Sequence, residues 1–359
     1  MGKQYAFYIT NHGFGHASRN VRIIEGILER EPTTIIHIKS DRIRCEFLQR
    51  NLKGYKNSII YHTNIHDIGF LLKGRELEVD VQRMRMMVEQ DERNWPDYIE
   101  YEQRFLTENN IDGVVSDIIA WALIAAKRCK IPSVMLCNFT WYEMYSDFLE
   151  EYLCLPYLKA YQQAGKIFLY EFGAKTIEKY NANVERVSFV ARKINQAHVE
   201  RIRKEYQHPL VFVSVGKSIE MSEKFDVSDI NATFLITAGV ELEGKNVIRL
   251  SEDLISTQDY ITASDYILTK GGWSTLGEIF LNRKRAAIIV RGKNSEDMAV
   301  MKAIGEHKTG VNITFKDLKN VDSVLKRMDR IDIINLERYT DDSEKIVDYI
   351  ISMGQEEHE

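Results

Sequence analysis

Tyr5-Ala6-Phe7-Tyr8-Ile9-Thr10 is followed by Asn11-His12-Gly13-Phe14-Gly15. Then Val21, Ile23, Ile24, Ile27 and Leu28 recur at helical spacing. The first run is short, aromatic and apolar, which suits a buried strand. The second is polar and carries glycine, which suits a loop. A further apolar run, Thr34 to Ile38, comes after the helix. Strand, helix, strand at this spacing predicts a βαβ unit and hence a parallel sheet.

The alternation continues outward from there. Gly113 to Ser116 reads as a strand, Ile119 to Cys129 as an alanine-rich helix, and Ser133 to Cys137 as the next strand after Pro132. Between them Glu76 to Thr107 has helical periodicity, with an interruption expected near Pro96 because proline lacks the N–H. Ile167 to Tyr170 is another strand candidate. A charged stretch, Arg192 to His208, leads to Leu210–Ser214, where the pattern starts again. Strand candidates then recur at Thr233–Ile236, Val247–Ile248, Tyr266–Thr269, Ala287–Val290 and Val311–Ile313. The expectation is an α/β protein of two Rossmann-like domains facing across a cleft. Their bounds are drawn at residues 1–195 and 196–359, with the last helix packing back on the first domain.

Composition agrees with this. At roughly 150 residues per domain, the 359 residues predict two domains. Apolar residues are 44% and charged residues 28%, close to the globular average, which excludes a disordered or fibrous chain. The net charge of −5 lacks the basic excess of a dedicated nucleic-acid binder. Cys45, Cys129, Cys137 and Cys154 form no CxxC pair, so reduced thiols in a cytoplasmic protein are expected. No apolar run approaches the ~18 residues of a membrane span. The N-terminus reads as neither a signal peptide nor, with Ala6 at the critical position, a myristoylation site.

Ligands of open α/β sheets lie beyond the carboxyl ends of strands, so the loops there are the candidates for chemistry. In Asn11 to Arg19 two glycines permit a sharp turn, and His12 and His16 are suited to proton transfer near neutral pH. A plain turn with helix-capping histidines fits the same spacing. Asp117, directly after a strand, could hold the far nitrogen of a histidine or simply cap the helix near Ile119. In Thr269 to Glu278 a strand meets Gly271-Gly272 and then a hydroxyl-rich helix start, Ser274-Thr275. Exposed N–H groups at such a start bind phosphate, and Glu278, one turn on, could take ribose hydroxyls. GxxxxGK[ST] is absent, which disfavours ATP hydrolysis. Gly216-Lys217-Ser218 could meet a diphosphate. His62 and His66 would suit a metal on a helix, but Asn64, Asp67 and Gly69 favour a loop. Arg83 and Arg85, among Met84, Met86 and Met87, mark a helix with one wet and one buried face. Tyr145, Phe148, Tyr152 and Tyr161 have the spacing of a buried stripe, whereas Trp141 and Tyr142 fall in the loop after Asn138.

Taken together these loops resemble the GT-B nucleotide-sugar glycosyltransferases. The Gly13-Phe14-Gly15-His16 loop is similar to that of the enzymes forming lipid II and to the glycine-histidine of the UDP-glycosyltransferase group. Ser116-Asp117 resembles the aspartate supporting that histidine, and Ala263 to Glu278 resembles the donor motif. The resemblance implies inverting, metal-independent transfer without a cofactor. The donor would be a nucleoside diphosphate sugar, a UDP- or TDP-sugar. The acceptor would be a glycan, lipid-linked or small-molecule hydroxyl. Peripheral membrane contact is left open, and nucleic acid is not an implied partner. His16 would be the base and Asp117 its support. Gly15, Gly216, Lys217, Ser218, Gly271, Gly272, Ser274, Thr275, Glu278 and Glu296 would bind the donor. His12, Asn138, Trp141 and Tyr142 would face the acceptor. The family's proline-bearing loop and terminal glutamine are absent from Val290 to Met298, so the sugar stays unassigned. Gly15-His16-Ala17-Ser18-Arg19 is also similar to the Gly-His-x-x-Arg of nucleotide-sugar hydrolases in nonulosonic acid synthesis. A hydrolase and a catalytically silent nucleotide-binding partner protein are the alternatives.

Overall fold

The structure, a computed structural model, describes residues 2–71, 73, 79–173, 176–215, 223–290 and 295–353. The chain divides into two compact units. One comprises the described residues up to Ser188 and takes back those from Asp342 onward; the other comprises those of Phe189–Lys293 and Asp297–Asp341.

The first unit is built on a parallel sheet of β1 (Gln4–Ile9), β2 (Ile35–Lys39), β3 (Ile59–His62), β4 (Gly113–Asp117), β5 (Ser133–Cys137), β6 (Lys166–Tyr170) and β7 (Val184–Val187). Their order is β3-β2-β1-β4-β5-β6-β7. The central strands are buried on both faces, so Tyr5 to Ile9 and Val134 to Cys137 run apolar without alternation, whereas the edge strands β3 and β7 are largely part-buried. Helices α1 (Gly15–Arg30), α2 (Arg42–Asn51), α3 (Val81–Glu108), α4 (Ala120–Arg128), α5 (Trp141–Ser146) and α6 (Glu151–Tyr161) connect or flank them. Ala6, Tyr8, Val114, Met135 and Leu169 pack in one core with Met84, Val88 and Trp95 of α3 and with α4 and α6. Of the later helices, α7 (Gln196–Glu205), α8 (Thr257–Ala263), α9 (Trp273–Leu281), α10 (Ser295–His307) and α11 (Val321–Met328) belong to the second unit, save the first residues of α10. The last helix, α12 (Ser343–Met353), returns to the first. There α12 packs on α1, where Arg22 pairs with Glu344 and Arg30 with both Glu344 and Asp348.

The second sheet holds β8 (Leu210–Ser214), β10 (Thr233–Ile236), β12 (Val247–Arg249), β13 (Tyr266–Lys270), β14 (Arg285–Ile289) and β15 (Val311–Ile313). All its pairings are parallel, in the order β12-β10-β8-β13-β14-β15. A short pair, β9 (Phe225–Asp226) and β11 (Leu242–Glu243), lies beside it.

Several local expectations are corrected. Helix α3 runs through Pro96 without a break. Its buried face, Met84, Val88, Trp95, Ile99, Phe105 and Leu106, continues on both sides of the proline, and that packing outweighs one lost hydrogen bond. Trp141 and Tyr142 lie in helix α5, not in a loop, and both are buried. Tyr145 and Tyr161 are buried as expected for a stripe, but Tyr152 is 59% exposed and hydrogen-bonded by Arg85. Met86 and Met87 are exposed while Met84 is buried. His62 ends strand β3, where it stacks on His37, and His66 stacks on Tyr98.

Candidate active site

In the first sheet β1 and β4 are neighbours, but the chain leaves β1 toward β2 and β4 toward β5. This is the switch point at whose carboxyl edge α/β proteins bind ligands. Gly13, at φ +72°, makes the turn after β1 that an L side chain would strain. Helix α1 then begins at Gly15, so His16, Arg19 and Asn20 share a face by their three- and four-residue spacing. Asp117 closes β4. The next residue, Ile118, has φ +60°, a sparsely allowed conformation for a β-branched side chain. Tyr161 donates its hydroxyl to the Ile118 carbonyl at 2.9 Å. Helix α4 starts only at Ala120, capped by Ile119 with no side-chain bond, so Asp117 is not a helix cap.

Asp117 instead collects donors. Its Oδ1 lies 2.7 Å from His16 Nδ1 and also accepts from Arg19 Nη2. Its Oδ2 accepts from Arg19 Nε at 2.8 Å and from Asn20 Nδ2 at 2.7 Å. Arg19 Nη1 donates to Asn138 Oδ1 at 2.8 Å, and the guanidinium lies 5.0 Å from the centre of the Tyr170 ring. Asp117 is wholly buried. Burial alone would raise its pKa, but Arg19 and His16 overcome this and lower it to about 2.

An ionised Asp117 cannot donate, so the proton between it and His16 belongs to Nδ1. Arg19 Nη2 also lies 2.8 Å from Nδ1, with its hydrogen assigned as donated to Asp117 Oδ1 instead. Nε2 then carries the lone pair. Burial and the adjacent Arg19 push the His16 pKa down, with Asp117 opposing. His16 is therefore neutral at physiological pH, with one nitrogen fixed and the other basic.

His12 sits among aromatic rings: Trp141 at 5.3 Å, Phe139 at 6.0 Å and Phe70 at 6.4 Å between centroids. Phe139 is shared with His16 at 5.4 Å. Trp141 is stacked on Tyr145 and 1% exposed, so it backs the His12 ring instead of offering an open platform. Tyr142 packs edge-on against Tyr180. The His12 loop is tied to the segment after β3. Thr10 Oγ1 and the Asn11 N–H both donate to Asp67, and the His12 N–H reaches Thr10 Oγ1 at 3.2 Å. Burial raises the Asp67 pKa to about 6 against those hydrogen bonds.

In the second unit the carboxyl ends of β8 and β13 are joined where Thr269 Oγ1 donates to the Ser214 carbonyl at 2.9 Å. Gly271 packs so closely that a Cβ would press 3.3 Å against Val300, whereas at Gly272 the nearest atoms stand at 3.9 Å. Gly272 precedes helix α9 and, as a glycine, makes no side-chain cap bond, while its own N–H donates to the Lys270 carbonyl at 2.8 Å. Glu278 is buried on α9. Its Oε1 accepts from Arg192 Nε at 2.8 Å, and Arg192 also donates to the Ile255 carbonyl and to Thr257 Oγ1 at 2.7 Å. Gly216, Lys217 and Ser218 lie outside the described residues, as does the side chain of Glu296. Among the described residues no group of His, Cys, Asp and Glu is arranged to hold a metal.

Sequence reasoning missed the roles of Arg19, Asn20, Asp67 and Arg192. Arg19 and Asn20 were signalled by their helical offset from His16. Asp67 and Arg192 carried no local signal, because each acts on a loop distant in sequence.

The geometry can be set against known proteins. No protein-family model matches the sequence. Among solved structures, LpCGTa in complex with UDP gives a TM-score of 0.66 at 11% identity, covering 99% of both chains. UGT89C1 of Arabidopsis thaliana with UDP-L-rhamnose gives 0.65 at 11% identity, covering 99% of this chain and 100% of that one. The spinosyn forosaminyltransferase SpnP gives 0.60 at 11% identity, again over 99% and 100%. The fold is therefore GT-B. In sequence the chain is 23% identical over 328 residues to L-arabinokinase of Arabidopsis thaliana. That match covers 88% of this chain and 31% of the relative, so the chain spans about a third of its length. No helix among the described residues is long and apolar enough to cross a membrane.

Proposed function

We propose that the protein transfers a sugar from a nucleoside diphosphate sugar to an acceptor hydroxyl, with inversion and without a metal. The observation that carries this reading is the 2.7 Å pairing of His16 Nδ1 with Asp117 Oδ1 at the switch point of the first sheet. Nε2 of His16 takes the acceptor proton as the oxygen attacks the anomeric carbon, and Asp117 stabilises the imidazolium formed. Arg19 and Asn20 hold Asp117 in place, Asn138 braces Arg19, and His12 with its aromatic surroundings lies toward the acceptor. In the second unit the N–H groups of Ser274 and Thr275 just beyond Gly272, with Gly216, Lys217 and Ser218, receive the charge that develops on the leaving diphosphate. Glu278 takes the ribose, and Gly15, Gly271 and Glu296 complete the donor site. A UDP- or TDP-sugar is the donor class, supported by fold neighbours solved with UDP and UDP-L-rhamnose. A cytoplasmic location and reduced thiols accord with this role, and no cofactor is needed.

Incubation with UDP-, TDP- and GDP-sugars tests the reading. Diphosphate release that requires an acceptor alcohol supports transfer. Release in water alone, unaffected by acceptors, would make the protein a hydrolase. Binding without turnover would make it a silent nucleotide-binding protein.

A further inference from the structure

The amino edge of the second sheet, opposite the donor loops, holds a cavity of about 370 Å³. Arg283, Lys284 and Arg285 line it where they lead into β14, with Asp265 and Tyr266 at the start of β13. Pro209 and the exposed Ile333 add apolar wall.

The charges there do not balance. The Asp265 carboxylate is already engaged: it lies 2.6 Å from His208 Nδ1, accepts from the Leu210 N–H at 2.8 Å, and has Arg203 at 3.7 Å. Arg283 pairs with Glu337 at 3.1 Å, but both side chains are more than half exposed, so water screens the pair. The Lys284 side chain makes no ion pair or hydrogen bond among the described residues, and Arg285 Nε is buried without a hydrogen-bond partner. Burial, helped by Arg203, pushes the Lys284 pKa down while Asp265 opposes. A buried guanidinium N–H without a partner is costly; an oxyanion in the cavity would satisfy it and pair with the part-buried Lys284 ammonium beside it.

We propose that this cavity binds a phosphate group, inorganic or as a monoester, through Lys284 and the Arg285 guanidinium. Pro209 and Ile333 would lie against the body of an ester. The site is separate from the donor loops, so phosphate and nucleotide bind together.

The test is the melting temperature of the full chain in phosphate against chloride at equal ionic strength, with UDP at saturation. Phosphate at tenfold excess over its Kd should raise it by about 2–4 °C. Lys284→Gln and Arg285→Gln should each shrink the shift, and the double variant should abolish it. Each variant's melting temperature in chloride reports whether it folds, and Lys284→Gln alone suffices if Arg285→Gln does not. Glucose 6-phosphate distinguishes the sources: a larger shift than inorganic phosphate assigns an ester, an equal one phosphate itself. No shift, a shift that UDP abolishes, or one unchanged in both variants would overturn the proposal.

Discussion

His16 Nδ1 and Arg19 Nη2 stand 2.8 Å apart on the same carboxylate, that of Asp117. One group of Asp117 thus holds both a neutral base and a permanent cation, and the two should respond differently to mutation. Asp117→Ala leaves Arg19 buried and uncompensated, at a cost of about 3–5 kcal/mol. His16→Ala leaves the Arg19–Asp117–Asn20 bonds intact, so stability changes little while turnover falls by roughly 10²–10⁴. Denaturant unfolding and steady-state rates on both variants check this. His12→Ala abolishing turnover while His16→Ala does not would move the base to His12.

The pH dependence of turnover should carry the mark of Arg19. Burial and Arg19 lower the His16 pKa, so the base stays neutral as pH falls below 6.5, the ordinary histidine value. The acid limb of kcat/KM therefore belongs below that value. Arg19→Met removes the neighbouring cation and should move the limb upward in whatever activity survives. An acid limb above 7 in the unsubstituted protein would contradict the assignment.

A second pair of histidines should govern acid stability. His37 Nδ1 and His62 Nε2 lie 3.1 Å apart on β2 and β3, with Lys39, Gln4 and Phe105 around them. Burial, then Lys39, then His37 lower the His62 pKa to about 4. Between pH 6.5 and 4 the unfolded chain takes up a proton at His62 that the folded chain refuses, so stability falls with pH across that window. With solvent screening of this half-buried group included, the loss is on the order of 1–2 kcal/mol. Unfolding curves of His62→Gln, compared with the parent at pH 7 and pH 5, should show a smaller pH dependence.

What was legible depended on whether the information lay in one stretch of chain. The Gly13–His16 turn and the Thr269–Glu278 loop could be read because strand, glycines and helix start are consecutive. The pairing of His16 with Asp117 was not legible from spacing, which fits a helix cap as well; it came from the resemblance of Gly15-His16 and Ser116-Asp117 to the GT-B group. Trp141 was misplaced although Thr140 and Glu143 form a capping box that opens α5. The spacing T-x-x-E was present, but the helix has only six residues, too few for its periodicity to show. Asp67 and Arg192 were out of reach, since nothing near them names the loop each one fastens.

The buried position of Trp141 changes what its removal should do. Stacked on Tyr145 and facing His12 edge-on, the indole fills core volume. Trp141→Ala should lower stability by about 3–5 kcal/mol. Trp141→Phe keeps an aromatic ring behind His12 and should retain most of the acceptor KM. A Trp141→Ala variant of unchanged stability would show the ring to be dispensable to the core.

Glu278 poses the sharpest separation of stability from binding, because it is both a donor-site candidate and half of a buried ion pair. Arg192 Nε bonds one of its oxygens, and the rest of the guanidinium is spent on Ile255 and Thr257. Glu278→Ala alone removes a carboxylate and strands a cation, so it should lower both the melting temperature and the affinity for UDP. Those losses would be confounded in the single variant. Replacing a buried pair together by apolar residues is often neutral for stability, so Glu278→Leu with Arg192→Met should recover the melting temperature. If Glu278 holds ribose, UDP affinity does not recover with it: charge-assisted hydrogen bonds contribute roughly 1.5–3 kcal/mol each, and the hydroxyls would have lost their acceptor. The double variant should also stop distinguishing UDP from 2′-deoxy-UDP. Calorimetric titration of both nucleotides decides the matter. Recovery of stability and affinity together would assign Glu278 to the fold and leave the ribose to another residue.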